Sequence, residues 1–445
     1  MSFRVESNTV TGGPTRIHVD YDPADLGHLT QGNGIAVVEV RDATASAEGA
    51  FALGSRVAAG AYEYELHQGG VDGDAADGNW YLRSYLRLDD DTPTPPVDNE
   101  VPNYRVEVPV DMVLPALAHR LGLDTLGTYH DRAGEHYLPA GFRATPVDAR
   151  GRPTQDEQRG WARVFGRSGK VGGSTASEAS RYRWFEKNGP RYEFDLSGLQ
   201  VGLDVHREVD EEGTREVAGG YLAVTQASAQ VEAVLGGRAG KASMKGYSLG
   251  GYWTRMAASG AYVDGVLQFT DYQGVSARSV RGVEISPDGW GIAASLEAGH
   301  AFEPVAHWHF EPQVQLVYQA VSMGGTRDDF GRIRYGDVEA VYGRLGMRLV
   351  RNGETDEGQR YTFWGRFNVW QQFGGKAKTS FASLGGGNRV ALGTTLGGTW
   401  AQLGLGLNAQ LSRSVNGFVS ADYEQNLSFD ASRSIGARVG VQVTW

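Results

Sequence analysis

The chain ends on a strand in which every second residue is apolar. Ile435, Ala437, Val439, Val441, Val443 and Trp445 hold one set of positions, and Gly436, Arg438, Gly440, Gln442 and Thr444 hold the other. A period of two sends the two sets to opposite faces. One face suits hydrocarbon and the other suits water, which is the requirement of a strand in the wall of a transmembrane β-barrel. Strands of a soluble sandwich also alternate, but a soluble domain rarely stops on its apolar stripe with a terminal Trp.

Further segments repeat the pattern. We read twelve strands, at about 160–166, 191–205, 217–227, 246–257, 261–271, 289–302, 308–321, 338–350, 361–373, 399–411, 415–425 and 435–445. Ala401, Leu403, Leu405, Leu407, Ala409 and Leu411 oppose Gln402, Gly404, Gly406, Asn408 and Gln410; Phe310, Pro312, Val314, Leu316 and Tyr318 oppose Glu311, Gln313, Gln315 and Gln319. The faces of the third and fourth strands are not assignable from the pattern. Connections are mostly long on one side (168–190, 273–288, 322–336, 374–398) and short on the other (Ser259 and Gly260; 412–414). That asymmetry marks an outer-membrane barrel, and an even strand count puts both ends on the short-turn side.

The preceding 158 residues differ. Residues 1–88 alternate short β-branched or aromatic runs with Gly, Asp and Asn turns, and read as a small all-β module. Residues 89–108 form a Pro-rich acidic linker. In 109–158, Val110, Val113, Leu114, Leu117, Leu121, Leu123 and Leu126 recur at helical spacing over Pro109–Arg132, and an irregular lead-in follows. The barrel is expected over 159–445.

Composition narrows the classes. Among 445 residues, 63 Gly, 10 Trp, 20 Tyr and 16 Phe suit short-turned β architecture with aromatic girdles. The absence of Cys removes disulfides, thiolate metal sites and cysteine nucleophiles together. A net charge of −11 argues against nucleic acid as a partner. No apolar run reaches the roughly 18 to 20 residues of a membrane helix, a limit that leaves barrel strands untouched. No apolar signal core opens the chain at Met1, so an exported protein is expected to be present here as a fragment or an incomplete reading frame.

Taken together, these segments resemble a monomeric (type Va) autotransporter: the C-terminal end of a pertactin-like β-helical passenger, a helix, and a twelve-stranded translocator barrel. The resemblance rests on Trp161–Gly166, Gly198–Asp204, Gly260–Asp264 and the run from Thr399 to Trp445. Upstream, Gly32–Val40, Ala59–Leu66 and Trp80–Ser84 look like the last passenger rungs, and Leu117–Arg132 is similar to the pore-threading segment. The resemblance implies an all-β fold: a 12-stranded antiparallel transmembrane barrel with a lumenal α-helix, after a short β-helix module. It implies an outer-membrane translocator that anchors a passenger at the cell surface. Expected partners are outer-membrane lipid, the barrel-assembly machinery and periplasmic chaperones, with no cofactor and a monomeric state. Val439, Val441, Val443 and Trp445 would carry the assembly signal, and Leu114, Leu117 and Leu121 would lie on the pore helix.

A lumen wide enough for a helix needs polar walls. The inward candidates are Arg163, Asp264, Glu297, Glu311, Arg344, Arg348, Arg366, Asp422, Glu424 and Arg438. Both signs are present, which suits a hydrated, helix-plugged pore better than a strongly selective channel. The channel-class alternative is a porin with residues 1–158 as a periplasmic domain.

Other readings carry less weight. Gly246-Tyr247-Ser248-Leu249-Gly250 matches the nucleophile elbow, but that motif needs a strand-to-helix turn and here sits inside a strand. His300, His307 and His309 cluster near a strand end, and His119 and His130 fall on the helix, yet no compact carboxylate set accompanies them as metal ligands. Some autotransporters cut their own passenger inside the pore, in part at Asn-Asn junctions. Asn99 and Asn103 lie in the linker and no Asn-Asn pair occurs before the barrel, so Asp264 and Glu297 read as lumen lining rather than as activators of an Asn side chain. Trp161, Trp253, Trp290, Trp400 and Trp445 are candidates for interfacial girdles, and Trp364 for an inward position against the helix.

Overall fold

The computed structural model describes residues 2–6, 14–20, 26–41, 47–88, 100–133, 159–172, 177–356, 358–412, 414–428 and 432–445. The greater part of the expected linker and the irregular lead-in lie outside the described residues.

Twelve antiparallel strands form the wall: β1 (Arg159–Val171), β2 (Tyr192–Val209), β3 (Arg215–Glu232), β4 (Arg238–Met256), β5 (Ala261–Ser279) and β6 (Gly289–His300). The second half is β7 (Trp308–Met323), β8 (Val338–Glu354), β9 (Arg360–Phe373), β10 (Thr399–Gln410), β11 (Val415–Asn426) and β12 (Arg433–Thr444). Each pairs with its sequence neighbours, and β1 pairs with β12 in the register Arg163↔Gly440, so the sheet closes on itself. Closure is what hydrocarbon demands, because an unpaired backbone edge has no water to bond.

The two faces of the wall separate as the alternation requires. Leu405 is 72% exposed and Leu403 59%, whereas Gln402, next to Leu403, and Arg366 on β9 are buried. The strands whose faces the sequence left open now resolve. Leu222, Val224, Tyr247 and Leu249 point outward, and Tyr221, Ala223, Thr225 and Ser248 point inward. Several strands outrun their expected length, β4 beginning at Arg238 rather than Gly246. About 9 to 11 residues cross the bilayer. Beyond that band the outward face of β4 turns polar (Lys241, Ser243, Lys245) while Ala242 and Met244 are buried on the inner face, so the apolar-out, polar-in alternation that reveals the strand inverts. Trp253, Trp290 and Trp445 are exposed on the outside. Trp161 and Trp400 are not girdle residues: their parity is that of Arg163 and Gln402, and both are buried inside.

Beyond the outer ends, the wall of β7 to β10 continues as a small antiparallel sheet. Its strands are Thr326–Arg327, Arg332–Tyr335, Lys376–Ala382 and Val390–Thr395. Ile333 and Phe381 face inward and are fully buried.

Helix α1 (Glu107–Leu126) runs through the barrel and is followed by the short α2 (Tyr129–Ala133). It starts two residues before Pro109, leaving that proline in the first turn, where its missing N–H is not needed. The single helix expected to Arg132 is broken at Gly127, which takes φ +65° and donates its N–H to the Leu123 carbonyl at 3.0 Å. Its residues are buried almost all round, so it has no solvated stripe. A third helix, α3 (Glu178–Asn188), lies in the first outer loop, capped where the Ser177 Oγ accepts from the Ser180 N–H. No helix among the described residues is long and apolar enough to cross a membrane.

Upstream, Thr15–Asp20 pairs in parallel with Phe51–Leu53, as stacked rungs do. The remaining pairings of this region are antiparallel: Tyr62–Gln68 lies between Val57–Ala59 and Trp80–Arg83, and Ile35–Val38 flanks the latter. This region sits on the outer mouth. Gly60 donates its N–H to the Phe330 carbonyl at 2.9 Å, and Arg105 reaches Asp328 at 2.5 Å. Tyr104 stacks between Tyr62 and Tyr182 of α3, and burial pushes its phenol up to about 12. Burial opposes the charge of Arg56, but Glu63 and Glu107 outweigh it and hold its pKa above the ordinary value.

Because Leu405 faces lipid near mid-wall, Leu405→Arg should destabilise the barrel by about 2–4 kcal/mol in denaturant titrations of the bilayer-folded protein. Gln402→Asn, on the inner face, should change stability by well under half of that.

Candidate functional site

The chemistry-bearing residues converge inside the barrel, along α1 and α2. The helix carbonyls are met by wall side chains: Tyr272 OH donates to Ala118 O at 2.9 Å, Gln319 to His119 O at 3.1 Å, and Gln268 to Gly122 O at 3.3 Å. Gly122 allows this approach, since a Cβ there would lie 2.2 Å from Gln319 Nε2. Gly122 is thus a point of close contact between helix and wall.

Below this level the contacts are ionic. Arg120 bonds Glu424 at 2.6 Å and Asp124 at 2.6 Å, and Asp124 takes Arg167 at 2.8 Å. Arg167 also holds Asp422 at 2.7 Å, and Asp422 holds Arg438 at 2.7 Å. Asp131 on α2 accepts from Arg366 at 2.8 Å and lies 3.4 Å from Arg438. Arg163 donates to two helix-end carbonyls, Thr125 at 2.7 Å and Asp131 at 2.8 Å, and to Gln200 at 2.5 Å. On the opposite wall Arg132 pairs with Asp264, and His130 bonds Glu311 at 2.8 Å, with Arg348 on its other oxygen at 3.5 Å. Glu297 receives the Tyr129 N–H at 3.0 Å and the Tyr262 hydroxyl at 2.8 Å, with Arg344 3.0 Å away.

All ten inward candidates are therefore buried on the lumen wall. Leu114, Leu117 and Leu121 are buried on α1. Val439, Val443 and Trp445 face outward on β12, and Val441 is half-buried. Trp364 points inward, where Arg348 (4.9 Å to the ring centre) and Arg366 (5.4 Å) pack over its ring. Sequence reasoning missed Arg167 and the helix charges Arg120, Asp124, Asp131 and Arg132. Arg167 was detectable, standing four residues after Arg163 and so on the same face.

The competing motifs resolve geometrically. Ser248 Oγ lies 2.8 Å from Thr270 Oγ1 on the lumen wall, within a continuous strand rather than on a strand-to-helix turn. His300 packs on Phe302, and His119 Nε2 lies 3.2 Å from the Val338 carbonyl. Among the described residues no three His, Asp or Glu side chains are grouped to hold a metal. Asn103 bonds into the outer module, its N–H to Ser84 O at 2.8 Å.

A closed twelve-stranded wall, charged within and threaded by a helix, is the geometry against which known proteins were compared. Residues 160–422 match the model described as the Autotransporter beta-domain. The chain belongs to the autotransporter family. Residues 2–66 match the model described as Autochaperone Domain Type 1. The adhesin BmaC autotransporter of Brucella suis is 29% identical over 99% of this chain and 13% of its own length. The pertactin autotransporter of Bordetella bronchiseptica is 30% identical over 56% of this chain and 26% of its own. The chain thus spans about an eighth to a quarter of these relatives. The transport unit of AIDA-I from Escherichia coli shares the fold, with a TM-score of 0.54 at 13% identity, covering 77% of this chain and 100% of that one. The barrel is an outer-membrane translocator domain, and the porin alternative fits a helix-filled lumen less well.

Removing one partner of a buried network strands the others. Asp131→Asn should cost about 3–5 kcal/mol of helix docking, because Arg366 and Arg438 lose a shared carboxylate. Hydrogen exchange of the α1 amides in detergent should then accelerate, while the amides of β1 to β12 keep their protection.

Proposed function

We propose that this chain anchors a passenger at the cell surface, with α1 as the tether that stays in the pore after export. The observation that supports this best is the direction of the helix. Its first turn lies at the outer loops, where Ser279 Oγ donates to Glu107 at 3.0 Å, and its last turn lies by Arg163 near the start of β1. A chain entering at the periplasmic ends of the strands is thereby led outward to residues 1–88.

In this reading residues 1–88 are the end of the passenger and serve as the folding template for the β-helix ahead of them, propagating rung by rung. The linker expected over 89–108 gives way to the pore segment at Glu107, where α1 begins, two residues ahead of the expected start; the lead-in runs to 158 and the barrel covers 159–445. Val439, Val441, Val443 and Trp445 present the lipid-facing stripe to the barrel-assembly machinery, and periplasmic chaperones keep the strands apart beforehand. The role is transport and display rather than catalysis. The adhesin relative supports a passenger that binds at surfaces.

Conductance in planar bilayers tests the tether. The full chain should conduct little, and a chain starting at Arg159 should open a large, stable pore. Equal conductance from the two would overturn the reading in favour of a porin with an appended domain. In intact cells, added protease should remove residues 1–88 and leave the barrel.

A further inference from the structure

The small sheet above β7 to β10 has two unlike faces. Its inner face is apolar and packed. Its outer face carries Arg332, Arg334, Lys376 and Lys378, all exposed. Arg334 stands opposite Ser380, so Lys378 is its diagonal neighbour on the same face. Like charges so placed repel, and among the described residues the exposed carboxylates Asp337 and Glu339, at the edge toward the barrel, form no ion pair with them. Among the described residues none of the four is in an ion pair; Lys376 Nζ only donates to the Lys187 carbonyl at 3.3 Å. Such a concentration of unpaired cations is out of keeping with a chain of net charge −11.

Position says what the charges meet. The sheet continues the barrel wall, so its outer face continues the lipid-facing surface. On β9 the last outward aromatic is Phe373, 56% exposed, and Lys376 follows three residues later. Gly374 and Gly375 bend the chain between them, with φ of +68° and +79°, so the cations begin just above the apolar band, at the level of the head groups. Lysine and arginine stems can bend back toward that layer with their charge leading. Asp337 and Glu339 are exposed between band and cations, and Asp337 is held by the Ser322 hydroxyl at 2.7 Å. The cations therefore face outward beyond the carboxylates, toward whatever anions flank the barrel.

We propose that this face binds the phosphate groups of the phosphorylated glycolipid in the outer leaflet, clamping one side of the barrel mouth to the surrounding lipid. Basic residues near an anionic lipid surface contribute additively, and four together suffice for a strong preference. The contact is ionic and weakens with salt.

The test uses the detergent-solubilised full chain, titrated with bisphosphorylated lipid A and with its dephosphorylated form, and bound lipid read by native mass spectrometry. The wild type should prefer the phosphorylated form by about tenfold or more. The variant Arg332→Gln, Arg334→Gln, Lys376→Gln, Lys378→Gln should lose that preference while keeping a folded barrel, as judged by heat-dependent gel mobility. Arg332→Lys with Arg334→Lys should keep it. Equal binding by wild type and the Gln variant would overturn the proposal, as would loss of preference in the Lys variant. Displacement of lipid A by a sulfated polysaccharide at lower concentration would also overturn it, reassigning the face to a surface glycan.

Discussion

Backbone hydrogen bonding in hydrocarbon governs this molecule. Every N–H and C=O that crosses the membrane must find a partner within the protein, and a sheet meets that only by closing. Closure fixes the alternation of each strand, because one face then meets lipid and the other a lumen. Twelve strands enclose more space than their own side chains fill, so the lumen must take water or another segment. Here it takes a helix. The buried arginines, the carboxylates between them and the broken end of α1 at Gly127 all follow from fitting a helix into a ring of strands.

How legible this was in the sequence depends on how regular the environment is. Outer-face residues such as Leu403, Leu405 and Leu407 see only lipid, so their pattern is pure and β10 ends one residue from its expected limit. Inner-face charges were legible by parity alone, as with Glu311 between Phe310 and Pro312. Where the outer face meets water and the inner face packs on an apolar stretch of helix, as in the upper part of β4, the parity reverses and the strand was cut short. Trp161 and Trp400 were misjudged because aromatic character was weighed ahead of parity.

The helix was harder. An amphipathic pattern reports one apolar and one solvated side, and α1 has neither in the ordinary sense. Its first half is enclosed by the apolar residues of the mouth, among them Met323, Ile333 and Phe381. Its second half is enclosed by charge. Arg120, Asp124, Asp131 and Arg132 went unassigned because nothing in their own sequence reveals the wall charges opposite them, among them the arginines of β1, β9 and β12. Contacts such as Arg120 to Glu424 join residues 304 apart in the chain, and only the closed barrel brings them together.

Polarity of the lumen also bears on how a segment that travels through a pore comes to rest. A greasy bore would hold any apolar helix at any depth, since hydrophobic contact is non-directional. Ion pairs are directional and are satisfied at one register. Asp124 near the end of α1 meets Arg167, and Asp131 on α2, across the break at Gly127, meets Arg366 and Arg438. A slip of one turn, about 5.4 Å, would move each carboxylate off its guanidinium and leave buried charges of both signs unpaired. Buried ion pairs add little net stability over apolar packing, but their misalignment is strongly penalised. The lattice is thus better suited to setting the depth at which the helix stops than to tightening its grip, and the docking of Arg105 on Asp328 at the mouth fixes the same depth from the other end.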